Sequence, residues 1–429
     1  MVICSQLMDS SGSARNLSHP RILILGAGMA GITTAKALHD KGYDNFIILE
    51  GSNRVGGRMK EVTIGGITDY IVLDGNGNDV TFEFSTRYNT SFDPAFKFFN
   101  SYAKEANAEG KPDFTVRSAL SMGGWKSKSP VDDVIEVFNL DGDYPYPPEV
   151  LSDTTDDLTV TDNRGFSQIV RSLRAAILPD GDQRLRLNEV VTEIEQTESG
   201  ITVQTRDNVT YSADYVVVTF SIGVLQHDDV RFFPNLPFWK REAIHQFQQS
   251  HLMHIYLKFA ETFWDDNEFI LYASERRNYY NMWQNVDKNF PGSNILQVLV
   301  VGDEVIRLER MNDIAIINEI ISVLRSMYSD RDIPELVEYS IPRWISDPFF
   351  RGAFSNWPSG YPLYTFNGLN APVGNIYFAG DYGDRFLYGT IQASYISALT
   401  VVDNIDKCVL GPDSCEAPYQ PKYDARGCT

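Results

Sequence analysis

The sequence predicts an α/β protein, and three observations near the start of the chain carry this prediction. Residues 21–25 (RILIL) and 46–49 (FIIL) are short apolar runs of the kind that form buried parallel strands. Residues 32–42 (ITTAKALHDKG) lie between them and have the apolar spacing of a helix. A strand, a crossover helix and a second strand form the unit from which parallel sheets are built.

The turn between the first strand and the helix has the glycine spacing of a dinucleotide site. Gly26 allows a tight turn, Gly28 lets a pyrophosphate approach the backbone, and Gly31 lets the helix pack closely on the strand. The amino terminus of the helix then faces the phosphates. A glycine-rich turn without a ligand is the alternative. We predict that the whole turn binds the cofactor through Gly26, Ala27, Gly28, Met29, Ala30 and Gly31.

An acidic residue closes the second strand and supports the same interpretation. Glu50 lies 19 positions after Gly31 (50 − 31), where a carboxylate can accept a hydrogen bond from a ribose hydroxyl. The chain continues GSNRVGGRM, which adds a second glycine pair and two arginines. The backbone at Gly57 can reach a pyrophosphate, and the guanidinium groups of Arg54 and Arg58 can clamp phosphate oxygens.

This stretch resembles the FAD fingerprint of the flavin amine oxidases, the family of monoamine and polyamine oxidases. Other segments resemble plant- and fungal-type polyamine oxidases, namely residues 185–194 (LRLNEVVTEI), 212–226, 259–264, 342–347 (PRWISD), 354–358 (FSNWP) and 373–381 (VGNIYFAGD). The resemblance implies an FAD cofactor and a Rossmann-type FAD-binding domain. It also implies further FAD contacts at Val191, Gly380, Asp381, Thr390 and Ile391.

The same resemblance implies two discontinuous domains. The FAD-binding domain is expected to comprise residues 21–90, 165–233 and 365–406. The substrate domain is expected to comprise residues 91–164 and 234–364, built on a mixed β-sheet flanked by helices. We predict a disordered amino terminus over residues 1–20 and a carboxyl-terminal tail over residues 407–429.

Composition narrows the range of partners. The chain has 429 residues, 43% of them hydrophobic, and a formal net charge of −20. The acidic balance argues against nucleic acid and anionic membrane surfaces, which bind basic patches. No apolar run approaches the roughly 20 residues that span a bilayer. By resemblance, the partners are O2 and a small-molecule substrate, either an amine or a specialised metabolite.

Four cysteines bear on the cellular compartment. Three of them, Cys408, Cys415 and Cys428, lie near the carboxyl terminus, and their spacing fits no zinc site, so we predict no metal. A Cys408–Cys415 disulfide and three free thiols are the two alternatives, and a disulfide would indicate an oxidising compartment. Residues 1–20 lack the apolar segment of a signal peptide, which favours the cytoplasm. Localisation therefore stays open.

The catalytic face departs from the family pattern at a strand over residues 253–259 (MHIYLKF). The family has a lysine there that holds a water beside the flavin, and His254 occupies the matching position. Alternation along a strand puts His254, Tyr256 and Lys258 on one face. A histidine there could hold a water and move protons near neutral pH, or it could fill the vacated space.

Other departures lie in segments that border the substrate in the family. Thr390 stands where polyamine oxidases have one aromatic wall of a cage, whereas Trp357 keeps the indole beside the flavin. Residues 72–77 (VLDGNG) replace an ELGANW-like segment. Asp143 matches one acid of a segment that draws in polycations, or it is a solvent-facing loop acid. We predict His254, Trp357 and Asp143 as catalytic-site residues.

These observations predict an FAD-dependent oxidoreductase of the amine oxidase family. It would oxidise an amine, or a related C–H bond next to a heteroatom, with O2 as acceptor, and it would not be a standard polyamine oxidase. Two alternatives stay open. One is an FAD-retaining isomerase or cyclase of specialised metabolism in which His254 is an acid and base, and the other is a non-catalytic binding protein of the same fold.

Overall fold

The structure is a computed structural model, and it describes residues 19–59, 70–109, 114–142, 166–411, 415 and 419, apart from the side chains of residues 104–109. The strands of this part of the chain are β1 (Ile22–Leu25), β2 (Phe46–Glu50), β3 (Tyr70–Asp74), β4 (Leu185–Leu187), β5 (Val191–Thr197), β6 (Gly200–Thr205), β7 (Thr210–Ala213), β8 (Tyr215–Val218), β9 (Arg231–Phe233), β10 (Gln248–Gln249), β11 (Leu252–Phe259), β12 (Phe269–Ala273), β13 (Met282–Asn285), β14 (Ile295–Val301), β15 (Leu336–Ser340), β16 (Ser355–Asn356) and β17 (Ile376–Phe378).

The helices connect and cover these strands. They are α1 (Met29–Asp40), α2 (Thr81–Arg87), α3 (Asp93–Glu109), α4 (Val116–Met122), α5 (Pro130–Glu136), α6 (Ser167–Ile177), α7 (Ile222–Gln226), α8 (Phe238–Gln246), α9 (Val286–Asn289), α10 (Asp303–Glu309), α11 (Asp313–Met327), α12 (Leu363–Asn370) and α13 (Ile391–Leu410). Two π-helical turns, Tyr88–Phe92 and Val137–Asp141, adjoin α2 and α5. No helix of the described residues is both long and apolar enough to cross a bilayer.

The first sheet is parallel and has the strand order β17-β8-β1-β2-β4. All four residues of β1 are buried, because both faces of the sheet are covered. Ile22 and Ile24 belong to the core beneath α1, α6 and α13. Leu23 and Leu25 belong to the core on the opposite face, which includes residues of α8 and α12. This arrangement confirms the predicted Rossmann-type sheet.

The second sheet is mixed and has the strand order β15-β11-β14-β13-β12-β3. Strands β12 and β3 pair in parallel, whereas the other neighbours are antiparallel. One face packs against α10 and α11, and the other packs against α2, α3, α4 and α5 around Val72 and Leu271. The predicted mixed sheet flanked by helices is therefore confirmed. A four-stranded sheet (β7-β6-β5-β9) and the short β10-β16 pair complete the described strands.

The described tail contains one cross-link. Cys408, in the last turn of α13, forms a disulfide with Cys415, which confirms one of the two alternatives drawn from the sequence. Tyr419 anchors the tail to the body, because its hydroxyl donates a hydrogen bond to the Tyr364 carbonyl at 2.6 Å and its ring lies 4.8 Å from that of Trp239. Cys4 and Cys428 lie outside the described residues.

Candidate active site

A cavity of about 700 Å³ runs from the carboxyl edge of the parallel sheet to strand β11 of the mixed sheet. Its volume is in the range of small-molecule and cofactor sites, roughly 300–1,000 Å³. Residues at or just beyond the ends of four parallel strands line it, namely Gly26 after β1, Glu50 in β2, Thr219 after β8 and Gly380 after β17. Open α/β sheets bind their ligands at this edge.

Two glycines face each other in the wall of the cavity. A Cβ atom on Gly57 would lie 3.3 Å from the Cα of Gly28, and a Cβ on Gly28 would lie 3.8 Å from the Cα of Gly57. Gly57 also has a φ of +58°, which side-chain-bearing residues rarely adopt. Side chains at these positions would therefore occupy a gap that the paired glycines leave for a ligand. We call this pair the glycine cradle.

Two other members of the predicted turn make contacts within the protein. They are Gly31 and Ala27. A Cβ on Gly31 would lie 2.0 Å from the Gly26 carbonyl oxygen, so glycine is needed there for close helix packing. Ala27 is fully buried, and its N–H donates a hydrogen bond to the Glu50 carboxylate at 2.7 Å. Neither residue is among the described residues that line the cavity, whereas Met29 and Ala30 at the start of α1 are.

The Glu50 carboxylate lines the cavity and also organises the loops around it. One oxygen accepts the hydrogen bond from Ala27, and the other accepts hydrogen bonds from the backbone N–H and the hydroxyl of Ser52, at 2.9 and 2.7 Å. The start of β5 lies beside it, because the Glu189 N–H donates to the Glu50 carbonyl at 2.9 Å. Val191 follows in the cavity wall. The proposed nucleotide contacts therefore share one region.

The two predicted arginines have different surroundings. The Arg54 guanidinium donates a hydrogen bond to the Gly57 carbonyl at 2.7 Å, and it is not among the described cavity-lining residues. Arg58 does line the cavity and forms a double ion pair with Asp381, at 2.8 and 2.9 Å. A second Arg58 hydrogen bond reaches the Ala353 carbonyl at 2.9 Å. Arg54 thus supports the glycine cradle from behind, and Arg58 faces the ligand space.

The amino terminus of α13 forms a further part of the wall. Thr390 is the N-cap of this helix, and its hydroxyl accepts a hydrogen bond from the Ala393 N–H at 3.2 Å. Ile391, the first helical residue, also lines the cavity. Gly380 is held by a hydrogen bond from its N–H to the Ser397 hydroxyl at 3.1 Å. Two helices, α1 and α13, therefore direct their positive ends at the cavity, which favours a negatively charged ligand group.

His254 lies in β11, and the alternating burial of this strand confirms that His254, Tyr256 and Lys258 share a face. His254 lines the cavity, and its Nδ1 atom is fully buried and makes no hydrogen bond within the described part of the chain. Removal of the ring from water lowers the pKa of His254 from 6.5 to about 4, although a side-chain interaction with Gln297 acts in the opposite direction. The ring is therefore neutral at pH 7. A role in holding a water or moving protons, and the alternative of filling space, both stay predictions.

Large apolar side chains also line the cavity. They come from the segment between β15 and β16 and from the start of β11, and they are Trp344, Phe349, Phe350, Phe354 and Leu252. Sequence reasoning singled out none of them for the site. The available signal was the density of aromatic residues from 344 to 357 (WISDPFFRGAFSNW), which overlaps two of the quoted family segments.

The other two residues predicted for the catalytic site are Trp357 and Asp143. Trp357 is not among the described residues that line the cavity. Its indole packs in an aromatic cluster with Phe366 and Tyr361, at centroid distances of 4.9 and 5.3 Å, and lies 6.0 Å from Tyr388. Asp143 lies outside the described residues.

The carboxylates of the described cavity wall all have partners. Glu50 and Asp381 are engaged as described above. Asp229 forms a double ion pair with Arg351, at 2.8 and 2.9 Å, and Glu189 accepts a hydrogen bond from the Tyr211 hydroxyl at 2.9 Å. An already paired carboxylate attracts a second cation weakly. In the described wall only Asp381 and Asp229 are paired with a cation. Glu50 and Glu189 accept hydrogen bonds from neutral groups and keep their negative charge at the nucleotide end.

Comparison with known proteins places these features in a wider context. A sequence profile described as flavin containing amine oxidoreductase matches residues 132–406, and one described as NAD(P)-binding Rossmann-like domain matches residues 24–102. The chain is 32% identical to polyamine oxidase 1 of Zea mays, over 96% of this chain and 95% of that protein. It is 34% identical to polyamine oxidase 7 of Oryza sativa subsp. japonica, over 89% and 93% of the two chains.

Solved structures agree with this picture at the level of the fold. Wild-type putrescine oxidase bound to putrescine superposes with a TM-score of 0.68, covering 90% of this chain and 99% of that chain. Its sequence is 16% identical, so the likeness supports the fold alone. A double mutant of the same oxidase, redesigned in its cofactor binding, gives a TM-score of 0.69.

Proposed function

Because the chain belongs to the flavin containing amine oxidoreductase family, we propose that it is an oxidase of a small amine or of a related C–H bond next to a heteroatom. O2 is the proposed electron acceptor. We further propose that the usual polycations of polyamine oxidases are not its preferred substrates. The observation that carries this proposal is the neutral imidazole of His254 in the cavity wall, at the position where the family has a lysine.

FAD is the cofactor, and the described residues fit it. The glycine cradle of Gly28 and Gly57 leaves room for a pyrophosphate, and the amino termini of α1 and α13 favour its charge. Glu50 lines the cavity at the end of β2, where a ribose hydroxyl is bound in this type of fold. When bound, FAD supplies the redox chemistry by accepting a hydride or its equivalent.

The side chains around the reacting end orient the substrate and exclude water. The apolar wall formed by Phe350, Phe354 and Leu252 removes the substrate from solvent. His254 contributes a neutral imidazole that holds a water or a substrate hydrogen. An oxidisable amine must lose its extra proton before reaction, and the apolar side chains of the described wall favour the neutral amine. These features support a substrate with little positive charge.

The test uses the purified holoenzyme. It is expected to be yellow, to release FAD on heating or acid treatment, and to produce peroxide with a panel of monoamines and heteroatom-bearing metabolites. Spermine and spermidine are expected to be poor substrates. A kcat/KM of about 10⁴ M⁻¹s⁻¹ or above with either one, the range of ordinary enzymes, would contradict the proposed specificity. A colourless protein that FAD does not reconstitute would contradict the whole proposal.

The isomerase or cyclase hypothesis needs His254 as an acid and a base, and the low pKa of His254 weakens it. A group with a pKa of about 4 is rarely protonated at pH 7, so the imidazole is a weak source of protons for acid catalysis there. Product mass separates the two reactions, since isomerisation leaves mass unchanged whereas oxidation removes two hydrogen atoms. His254→Ala is expected to keep FAD bound and to lower turnover at least about tenfold, because it removes a hydrogen bond to the water or substrate worth roughly 1.4 kcal/mol.

A further inference from the structure

We propose that Gln297 is a positioning residue that holds His254 as the Nδ1–H tautomer and so presents the Nε2 lone pair to the cavity. This inference rests on the proposed function for its catalytic meaning, because it concerns the group beside the reacting end. Its structural content, a hydrogen bond that selects one tautomer, stands independently of the reaction.

Strand register places the two side chains together. In the antiparallel pair of β11 and β14, His254 lies opposite Leu299 and Tyr256 lies opposite Gln297. Opposite residues of a pair point to the same face, and His254 shares that face with Tyr256. Gln297 is thus the diagonal neighbour of His254 on the adjacent strand, a distance that long side chains bridge.

Each of the two side chains has one buried polar atom that lacks a hydrogen-bond partner among the described residues. The Nδ1 atom of His254 is fully buried and makes no hydrogen bond within the described ranges, and the same is true of the Oε1 atom of Gln297. Gln297 is only 3% exposed, so water does not reach it freely. A buried donor or acceptor without a partner is costly, typically about 1–3 kcal/mol. A small rotation that joins Nδ1–H to Oε1 satisfies both atoms.

The chemistry of the pair selects the tautomer. A neutral imidazole carries one N–H and one lone pair, and the partner of one nitrogen decides the role of the other. An amide oxygen accepts hydrogen bonds only, so it requires the proton on Nδ1. Because Nδ1 is buried, the edge of the ring that lines the cavity carries Nε2. That nitrogen is then an acceptor.

This tautomer makes position 254 a hydrogen-bond acceptor, whereas a lysine there would be a hydrogen-bond donor. An ammonium group has three donors and no acceptor, whereas the Nε2 of His254 accepts a hydrogen bond. A water held there must direct a hydrogen at His254, and a substrate that displaces the water must bring an N–H or O–H group. The site therefore takes a substrate with a hydrogen-bond donor close to the bond that is oxidised.

The experiment measures the tautomer directly in the holoenzyme. The six histidines are labelled with ¹⁵N, and long-range ¹H–¹⁵N spectra distinguish protonated from lone-pair nitrogens. The His254 signals are identified by their loss in His254→Gln. We expect a protonated Nδ1 and a lone-pair Nε2. A protonated Nε2 in the parent protein would overturn the proposal.

Variants of Gln297 supply the causal test. Gln297→Met keeps the length of the side chain and removes the amide oxygen, so the signals should move toward a mixture of tautomers. Gln297→Glu keeps an acceptor and should leave Nδ1 protonated. The matched control is Gln284→Met, because Gln284 is equally buried, lies opposite Gln297 on β13, and is one strand further from His254. Equal effects of the two methionine variants, or none from Gln297→Met, would overturn the assignment.

Kinetics then connect the tautomer to the reaction. Anaerobic reduction of the bound flavin by a substrate from the panel is expected to slow about tenfold in Gln297→Met, the low end of what outer partners of a functional histidine contribute in metal sites. Gln297→Glu should recover part of this loss, and Gln284→Met should react at the parent rate. If no substrate is found, the proposed function fails while the spectroscopic result still decides the role of Gln297.

Discussion

The two ends of the cavity differ in how their polar groups are used. At the nucleotide end, Glu50, Arg58 and Asp381 all have close partners, and they hold loops whose glycines leave space for the ligand. At the His254 end, the Nδ1 atom of His254 and the Oε1 atom of Gln297 are both buried and make no hydrogen bond within the described ranges. The first end is a rigid binding surface, whereas the second is a neutral surface whose hydrogen bonds depend on one pair of side chains.

Substitution of Gly31 tests the nucleotide end of the cavity, and its expected effect on stability is the largest. In Gly31→Ala the new Cβ would lie 2.0 Å from a backbone oxygen, so α1 must move away from β1. We expect a loss of stability of about 3 kcal/mol, the upper part of the range for overpacking, or failure to fold. The measurement is the free energy of unfolding of the FAD-free protein in urea.

Gly28→Ala is the matched control for that change. Its Cβ would lie 3.8 Å from the nearest protein atom and would project into the glycine cradle. We expect the FAD-free protein to keep its stability and the affinity for FAD to fall. If both variants lower the stability of the FAD-free protein equally, the distinction between packing glycine and ligand-facing glycine is wrong.

The ion pair of Arg58 and Asp381 gives the next largest effect. Asp381 is 4% exposed, and Asp381→Asn leaves the Arg58 guanidinium beside a neutral group. Breaking a buried pair costs about 3–5 kcal/mol, and partial exposure of Arg58 reduces this to about 2–3 kcal/mol. We expect that loss in unfolding free energy. Asp229→Asn, which breaks a more exposed pair with Arg351, should cost less than 1 kcal/mol.

The sequence predicts a contact more easily when the two residues are close together along the chain. The two ends of the cavity differ in this respect. The packing role of Gly31 was predictable, because it depends on spacing within one turn. A separate approach of Gly28 and of Gly57 to a pyrophosphate was also predictable, but the contact between them, 29 positions apart (57 − 28), comes from the fold. The pairing of His254 with Gln297 was not predictable, since the two residues are 43 positions apart (297 − 254) and meet only through the register of β11 and β14.

Trp357 illustrates a second limit of sequence reasoning. A family motif fixes the position of a residue along the chain, but the direction of its ring depends on neighbours from other elements. Here Phe247 of the loop after α8 and Phe366 of α12 surround the indole. Burial likewise decided the pKa of His254, because residue type alone predicts a value near 6.5 and desolvation moves it to about 4.

The pH dependence of stability tests whether the His254 end of the cavity is neutral. The pKa of His254 is about 6.5 in the unfolded chain and about 4 in the folded one, so the unfolded state binds the extra proton first as pH falls. The contribution of neutral His254 to the free energy of unfolding is fully present above pH 6.5, and it is lost as the pH falls from 6.5 to 4. The expected loss at pH 5 is about 2 kcal/mol relative to pH 7.5.

The measurement compares the urea unfolding of the parent with that of His254→Gln at pH 7.5, 6 and 5. The variant should lose about 2 kcal/mol less than the parent over this interval, because glutamine does not titrate. Parallel pH dependences in the two proteins would indicate that His254 titrates normally, and the neutral character of this end would then be wrong.

The smallest expected effect concerns Thr390, which belongs to both halves of the comparison. It stands at the position of a family cage aromatic, yet its hydroxyl caps α13 by accepting a hydrogen bond from the Ala393 N–H at 3.2 Å. Loss of an N-cap costs about 1 kcal/mol. Thr390→Ala should therefore lower the unfolding free energy by that amount, and Thr390→Ser should lower it by much less. If Thr390→Ala leaves stability unchanged and alters only the choice of substrate, Thr390 acts as a wall of the pocket and its capping bond contributes nothing measurable.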